Sequence, residues 1–378
     1  MPRDEPALRQ PKLAGFNVDP AHSYTLSAPY YREPEVLARE RDAIFFKSWI
    51  FIGHGEKVAH VGDYFTHSIF DQNILVIRAK DQRIRAFYNV CAHRAHELLQ
   101  GEGNAKVITC PYHAWSYHAD GSLRSARGSE KVAGFDKDEF CLKEVQIESF
   151  LGFLFVNLDP AAPPLAVQSG DLAKEVRGYV PDVEELTFSR RLTFDLKANW
   201  KNVVDNYLEC YHCPPAHPAF SDLIDIKKYR SITHGIYSSH IGPMTGGDNK
   251  AYKFDAARQD SSLHFSGWYL WPNITLNTFP GCPNLSVLQI IPTGPETCRE
   301  YWDFYFSSQE PNDEERAAVE YVDRVLQPED IGLVESVQRG LRSKGYHQGR
   351  YIVDAERSDI SEHALHHFHS LVLNALGD

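Results

Sequence analysis

The chain of 378 residues has no long hydrophobic run; its most apolar stretch, over 150–158, is about half of what a membrane-spanning helix requires, so no membrane association is expected. It also lacks any Lys/Arg run able to neutralise a row of phosphates. With a formal charge of −12, nucleic acid is not an expected partner, and the acidic balance suits a cationic ligand or a basic protein. The opening segment MPRDEPALRQPKLAG has no apolar core of the kind a secretory signal carries, which predicts a cytoplasmic protein. In that compartment seven cysteines, an odd number, are expected as thiols or metal ligands rather than as a disulfide framework. No internal repeat or low-complexity tract occurs.

The length is sufficient for two domains of ordinary size, and 43% hydrophobic with 24% charged residues suits globular cores. Scattered Pro and Gly over 1–30 suggest a surface-wrapping arm, followed by an amphipathic helix over 33–49. Short β-type runs at 74–77, 84–88 and 150–156, separated by turn signals such as Ala119-Asp120-Gly121, predict a small all-β domain. The Pro-rich stretch from Asp159 to Pro164 is the expected linker. Beyond it, strand-like segments at 192–196, 268–276, 285–291 and 300–306 and helical ones at 312–326, 329–343 and 360–376 predict an α+β domain, one antiparallel sheet covered by helices. The expected division is an arm and helix over 1–46, a first domain over 47–160 and a second over 161–378.

Two constellations carry chemistry. Cys91-Ala92-His93 is followed after sixteen residues by Cys110-Pro111-Tyr112-His113. Two thiolates and two imidazoles can bind zinc or an iron–sulfur cluster. Zinc knuckles usually pair Cys with Cys and His with His. Here each loop supplies one of each, which suits a [2Fe–2S] unit with unlike irons. His96 and His118 do not fit the spacing and read as surface or supporting residues.

The second constellation lies in NWKNVVDNYLECYHCPPAHP, residues 199–218. Trp200, Val203, Val204 and Tyr207 recur at helical spacing, with Glu209 and His212 expected on one face. Pro214 and Pro215 are expected to end that helix, letting His217 turn back towards His212. Two histidines and a carboxylate make a facial triad for non-haem Fe(II). Asp330, spaced with Val334, Val337 and Leu341 along a helix, is the candidate carboxylate. The alternative reading makes Asp330, like Glu329 beside it, a helix-start acid favoured by the dipole.

The runs Val90-Cys91-Ala92-His93-Arg94 and Cys110-Pro111-Tyr112-His113-Ala114-Trp115 resemble the Rieske motif, departing from it at Ala95 and Ala114, where many members have glycine. Asn199-Trp200-Lys201, Asp205 through Cys213 and Gln327-Pro328-Glu329-Asp330 resemble the iron-binding segments of Rieske oxygenase α subunits. The resemblance implies a Rieske [2Fe–2S] cluster on Cys91, His93, Cys110 and His113, and a mononuclear Fe(II) on His212, His217 and Asp330. It makes Glu209 an acidic bridge that passes electrons from a neighbouring subunit's Rieske histidine, in a homotrimer fed by an NAD(P)H-dependent flavin/iron–sulfur reductase. Glutamate at 209, with the run from Val334 to Leu341, resembles the quaternary-ammonium branch, the carnitine, glycine betaine, choline and stachydrine monooxygenases. Aromatic faces bind quaternary ammonium, and Tyr207, Tyr211, Trp268, Trp271 and Phe279 are the candidate substrate contacts. An oxygenase acting on an aromatic acid, and a Rieske electron carrier without catalysis, are the competing expectations.

Overall fold

The computed structural model describes residues 15–246 and 249–378 and divides into two compact units, 45–167 and the remainder of the chain. The expected behaviour of residues 1–14 lies outside the described residues.

The first unit is a seven-stranded antiparallel sheet in the order Ile50–His54, Phe153–Asn157, Glu144–Phe150, Ile84–Tyr88, Gln72–Arg78, Asp63–Ile69, Glu102–Asn104, with a small three-stranded sheet of Ile108–Thr109, Ser116–Tyr117 and Leu123–Ser125. The turn foreseen at Ala119-Asp120-Gly121 joins the last two of these strands, where Asp120 accepts the Ser122 N–H at 3.0 Å. The run expected as one strand over 150–156 is instead two. Leu151 and Gly152 take positive φ and fold a tight hairpin that pairs Phe153 with Phe150. The apolar content of that run reflects two buried neighbours rather than one long strand.

The second unit holds another seven-stranded antiparallel sheet, ordered Thr187–Leu196, Thr297–Phe306, Asn284–Gly294, Ile274–Thr278, His264–Leu270, Tyr237–Pro243, Arg230–Thr233. The segment expected as a strand over 268–276 is divided by a turn at Trp271-Pro272-Asn273. The helix foreseen over 33–49 is shorter: an α-helix Pro34–Glu40 runs into a wide π turn, Arg41–Phe45. Helix Asp313–Tyr321 starts on a capping box of Asn312 and Glu315. Helices Gln327–Gly340 and His363–Leu376 complete the cover. Phe368 of the last helix is fully buried against the rings of Trp200 and Tyr269.

Two helices place the second constellation. Asn199 caps helix Trp200–Tyr207 by accepting the Lys201 N–H at 2.9 Å. Gln338 of helix Gln327–Gly340, 2% exposed, ties the two helices together. Its Oε1 accepts from the Asn199 N–H at 2.8 Å and from Asn202 Nδ2 at 2.7 Å. Its amide nitrogen donates to the Tyr31 carbonyl at 3.1 Å and to Glu296 at 3.0 Å. The stripe expected along that helix is therefore amended. Val334 and Leu341 are buried, but Val337 is 51% exposed and Gln338 takes the inward position.

Candidate functional site: two metal centres

In the first unit, Cys91 and Cys110 are 3% and 2% exposed, within a core of Leu75, Phe87, Ile108 and Tyr117. The two loops fold alike. The Cys91 N–H bonds the His96 carbonyl and the Cys110 N–H bonds the Trp115 carbonyl, both at 2.8 Å; the Ala95 and Ala114 N–H groups return to the carbonyls of Cys91 and Cys110 at 3.0 and 3.1 Å. Ala95 and Ala114 have φ of +56° and +59°. The positions where the motif departs from glycine are thus those whose backbone favours it. These knuckles bring the His93 and His113 rings to 4.7 Å at the outer side, above the buried thiols. The Tyr117 hydroxyl lies 3.2 Å from Cys91 Sγ and accepts the Ala92 N–H at 3.1 Å. A buried thiol pair facing an outer imidazole pair is a donor set that fits a cluster with unlike irons. His96 and His118 are both exposed, outside this group.

In the second unit, one nitrogen from each of His212 and His217 and one Asp330 oxygen all lie within 4.8 Å of each other. Asp330 Oδ1 is 3.0 Å from His217 Nε2 and 3.7 Å from His212 Nε2. The opposite nitrogens are held by other acids: Glu209 Oε1 meets His212 Nδ1 at 2.5 Å, and Glu329 Oε2 meets His217 Nδ1 at 2.8 Å. A carboxylate on Nδ1 fixes the tautomer that leaves Nε2 free for a metal. Asp330 and Glu329 therefore take different places, one inside the triad and one behind it. Burial opposes charging of His217, but Asp330 and Glu329 on its two nitrogens raise it to about 9. Two imidazole nitrogens and one carboxylate oxygen converging in this way fit a divalent iron.

The local chain path differs from expectation. The helix ends at Tyr207, so Glu209 and His212 lie on a loop. There Glu209 also accepts the backbone N–H of Tyr211 at 2.5 Å and of His212 at 3.1 Å. Pro214 and Pro215 open the short helical turn Cys213–Ala216 rather than end a helix, because proline is tolerated where the N–H needs no partner. Cys210 and Cys213, expected like the other cysteines as thiols or metal ligands, are joined as a disulfide; their CxxC spacing brings the Cα atoms to 4.9 Å.

The triad opens into a cleft of about 740 Å3, including the part open to solvent. Of the candidate substrate contacts, Tyr207 and Phe279 line it; Tyr211, Trp268 and Trp271 do not. Tyr211 is 48% exposed on the loop. Trp268 is fully buried and donates from Nε1 to Glu175 at 3.2 Å, because strand alternation turns it away from the face of Phe265 and Gly267. Trp271 packs towards Phe368. Gly267 is required on the cleft face, where a Cβ would collide with the Tyr207 hydroxyl. Sequence reasoning missed Phe220, Tyr229, Phe265, Trp302 and Glu300, all of which line the cleft. Ring contacts run from Phe220 to Phe265 at 5.3 Å, to Phe279 at 5.4 Å and to Trp302 at 6.5 Å. Glu300 is fully buried, and burial followed by the nearby Asp330 raises its carboxyl to about 8. Its signal was the alternation Cys298, Glu300, Trp302, Phe304 along one strand face, a charge at an inward position.

Residues 183–378 match the family model of the ring hydroxylating alpha subunit (catalytic domain), and residues 48–136 match that of the Rieske [2Fe-2S] domain. The chain belongs to the Rieske non-haem iron oxygenases. It is 41% identical over 365 residues to the carnitine monooxygenase oxygenase subunit of Escherichia coli K12, covering 96% of each chain. It is 30% identical over 363 residues to the chloroplastic choline monooxygenase of Spinacia oleracea, covering 93% of this chain and 78% of the relative. A solved quaternary ammonium Rieske monooxygenase in complex with L-carnitine superposes with a TM-score of 0.84 at 39% identity, covering 95% of this chain and 97% of the other. As a Rieske non-haem iron monooxygenase, this oxidoreductase uses a [2Fe–2S] cluster and a mononuclear iron. No helix among the described residues is long and apolar enough to cross a membrane.

Proposed function

We propose that the chain is the oxygenase component of a two-component monooxygenase that hydroxylates and cleaves a C–N bond of a carnitine- or betaine-type quaternary ammonium compound. In this reading 47–160 forms the Rieske domain and 161–378 the catalytic domain, with 1–46 as an arm. Cys91, His93, Cys110 and His113 hold the cluster, and His212, His217 and Asp330 hold the mononuclear iron. When bound, these groups supply one-electron transfer and O2 activation.

The observation that carries the substrate reading is the lining of the cleft. Six aromatic side chains and three carboxylates, Glu209, Glu300 and Asp330, surround it, and no Lys or Arg is among the lining residues. Aromatic faces attract a quaternary cation without requiring a hydrogen bond from it. Tyr207 is fixed by its hydroxyl bond to Asn277 at 2.7 Å, so its ring is presented in one orientation. Glu209 and Glu329 keep the Nδ1 protons of their histidines. The apolar rings exclude water from the bond that reacts.

The overall chemistry balances with two electrons and two protons. One oxygen atom of O2 enters a C–H bond beside nitrogen, and the other leaves as water. The hydroxylated carbon then becomes an aldehyde as the C–N bond breaks; the amine departs with that electron pair and takes the hydroxyl proton. Electrons come from an NAD(P)H-dependent flavin/iron–sulfur reductase. In the homotrimer of this reading, a neighbouring subunit's Rieske imidazoles would lie beside Glu209. Both ends suit this arrangement: His93 is exposed on its unit, and Glu209 bonds His212 directly. The test is a screen with reductase, NAD(P)H and O2 against carnitine, glycine betaine, choline and stachydrine, read as aldehyde or free amine. Release from at least one supports the proposal. Silence with all four, together with hydroxylation of an aromatic acid, would overturn it.

A further inference from the structure

Glu300 stands apart from the other carboxylates of the cleft. Glu209 is held by His212, and Asp330 belongs to the triad. Glu300 is fully buried on strand Thr297–Phe306, with Gln327 Nε2 donating to its Oε2. Its Oε1 has no hydrogen-bond partner, and the charged group acting on it is the acid Asp330 rather than a Lys, Arg or His. A carboxylate with one unmet oxygen in an apolar site is costly unless a cation or donor completes it. It lines the same cleft as Phe279 and Trp302, two residues further along its own strand face.

Resting on the quaternary-ammonium reading, we infer that Glu300 is the counter-ion of the substrate's quaternary nitrogen and sets the enzyme's preference for a cation over a neutral ligand of the same shape. Iron(II) held by two neutral imidazoles and one carboxylate keeps a net positive charge. A substrate that reacts beside its quaternary nitrogen brings a second positive charge close to it. Aromatic faces offset part of that repulsion; Glu300, otherwise held near neutrality by burial, offsets more once the positive charge beside it favours its ionised form, because low dielectric strengthens the attraction. Glu300 is the lining carboxylate that neither touches a histidine nor joins the triad. A quaternary nitrogen cannot donate a hydrogen bond, so its attraction to Glu300 is electrostatic, and the neighbouring aromatic rings supply the contact surface for its methyl groups.

The test compares binding of carnitine with binding of 3-hydroxy-5,5-dimethylhexanoate, in which carbon replaces the charged nitrogen. Calorimetry on the anaerobic, iron-loaded wild type and Glu300→Gln protein gives both affinities without turnover. The wild type is expected to prefer carnitine. Glu300→Gln is expected to lose about tenfold or more for carnitine and less than about threefold for the isostere, with iron content unchanged. A wild type with no preference for the cation overturns both this inference and the substrate reading. A wild-type preference that survives in Glu300→Gln overturns the inference alone. Equal weakening of both ligands, or loss of the mononuclear iron, also overturns it and makes Glu300 a support for Asp330. Should Glu300→Gln not fold, Glu300→Met, neutral and of similar length, gives the same comparison.

Discussion

Gln338 joins the helix that carries Asp330 to the one that leads into His212 and His217, so Gln338→Ala tests how the mononuclear site is assembled. The substitution strands the Asn199 N–H and the Asn202 amide, on residues 2% and 5% exposed, and the Tyr31 carbonyl. Glu296 loses little, since Arg342 still binds it through two bonds at 2.8 and 2.6 Å. Each stranded buried group costs about 1–3 kcal/mol, and partial relaxation brings the total to about 3–5 kcal/mol. That is a large share of the roughly 5–15 kcal/mol that stabilises a domain. Urea denaturation followed by tryptophan fluorescence reads the stability, and metal analysis reads mononuclear iron. Stability is expected to fall by that amount and iron retention with it, while the cluster's visible absorption persists because its ligands lie in the other unit. A loss below about 1 kcal/mol with full iron occupancy would refute the reasoning, since it would mean these bonds are replaced without cost.

Three further outcomes follow from the site geometry. Asp330→Ala is expected to remove the mononuclear iron and leave the red cluster's absorption unchanged; retained iron would move the ligand role to Glu329 or another acid. Glu209→Ala is expected to keep both metal centres and lose coupled turnover, whereas loss of iron would make Glu209 a ligand. Ala95→Gly relieves a positive φ and is expected to stabilise the cluster loop by about 1 kcal/mol, read as slower cluster loss on heating; faster loss would show that the alanine Cβ contributes packing there.

What was legible in the sequence divides by the range of the interactions involved. The Rieske set is local: each Cys and His pair sits on one knuckle, and two short spacings bring out all four. His212 and His217 are nearly as local, although their scaffold was misjudged. The periodicity through Tyr207 suggested a helix continuing past Glu209, yet the loop is organised by the Glu209 carboxylate, which competes for backbone N–H groups as a helix interior does not allow. The Cys210–Cys213 disulfide was missed because compartment arguments say nothing of a particular CxxC turn. Asp330 is more than a hundred residues from its partners; its spacing along a helix made it a candidate, and the resemblance favoured it over Glu329. The cleft was least legible. Trp268 and Phe279 are both buried aromatics, and only the facing direction of each strand separates a core tryptophan from a cleft wall. Glu300 and Trp302 fall on the cleft face of their strand for the same reason, which needs the strand's register to be known.

A single turnover of the isolated, iron-loaded protein tests the central claim most directly. Chemical reduction replaces the partner reductase, so both metal centres and the cleft must work together in this chain. Adding O2 and carnitine to the reduced protein is expected to reoxidise the cluster and release up to about one trimethylamine per chain, with the matching aldehyde. Reoxidation of the cluster without any C–N cleavage would contradict the account.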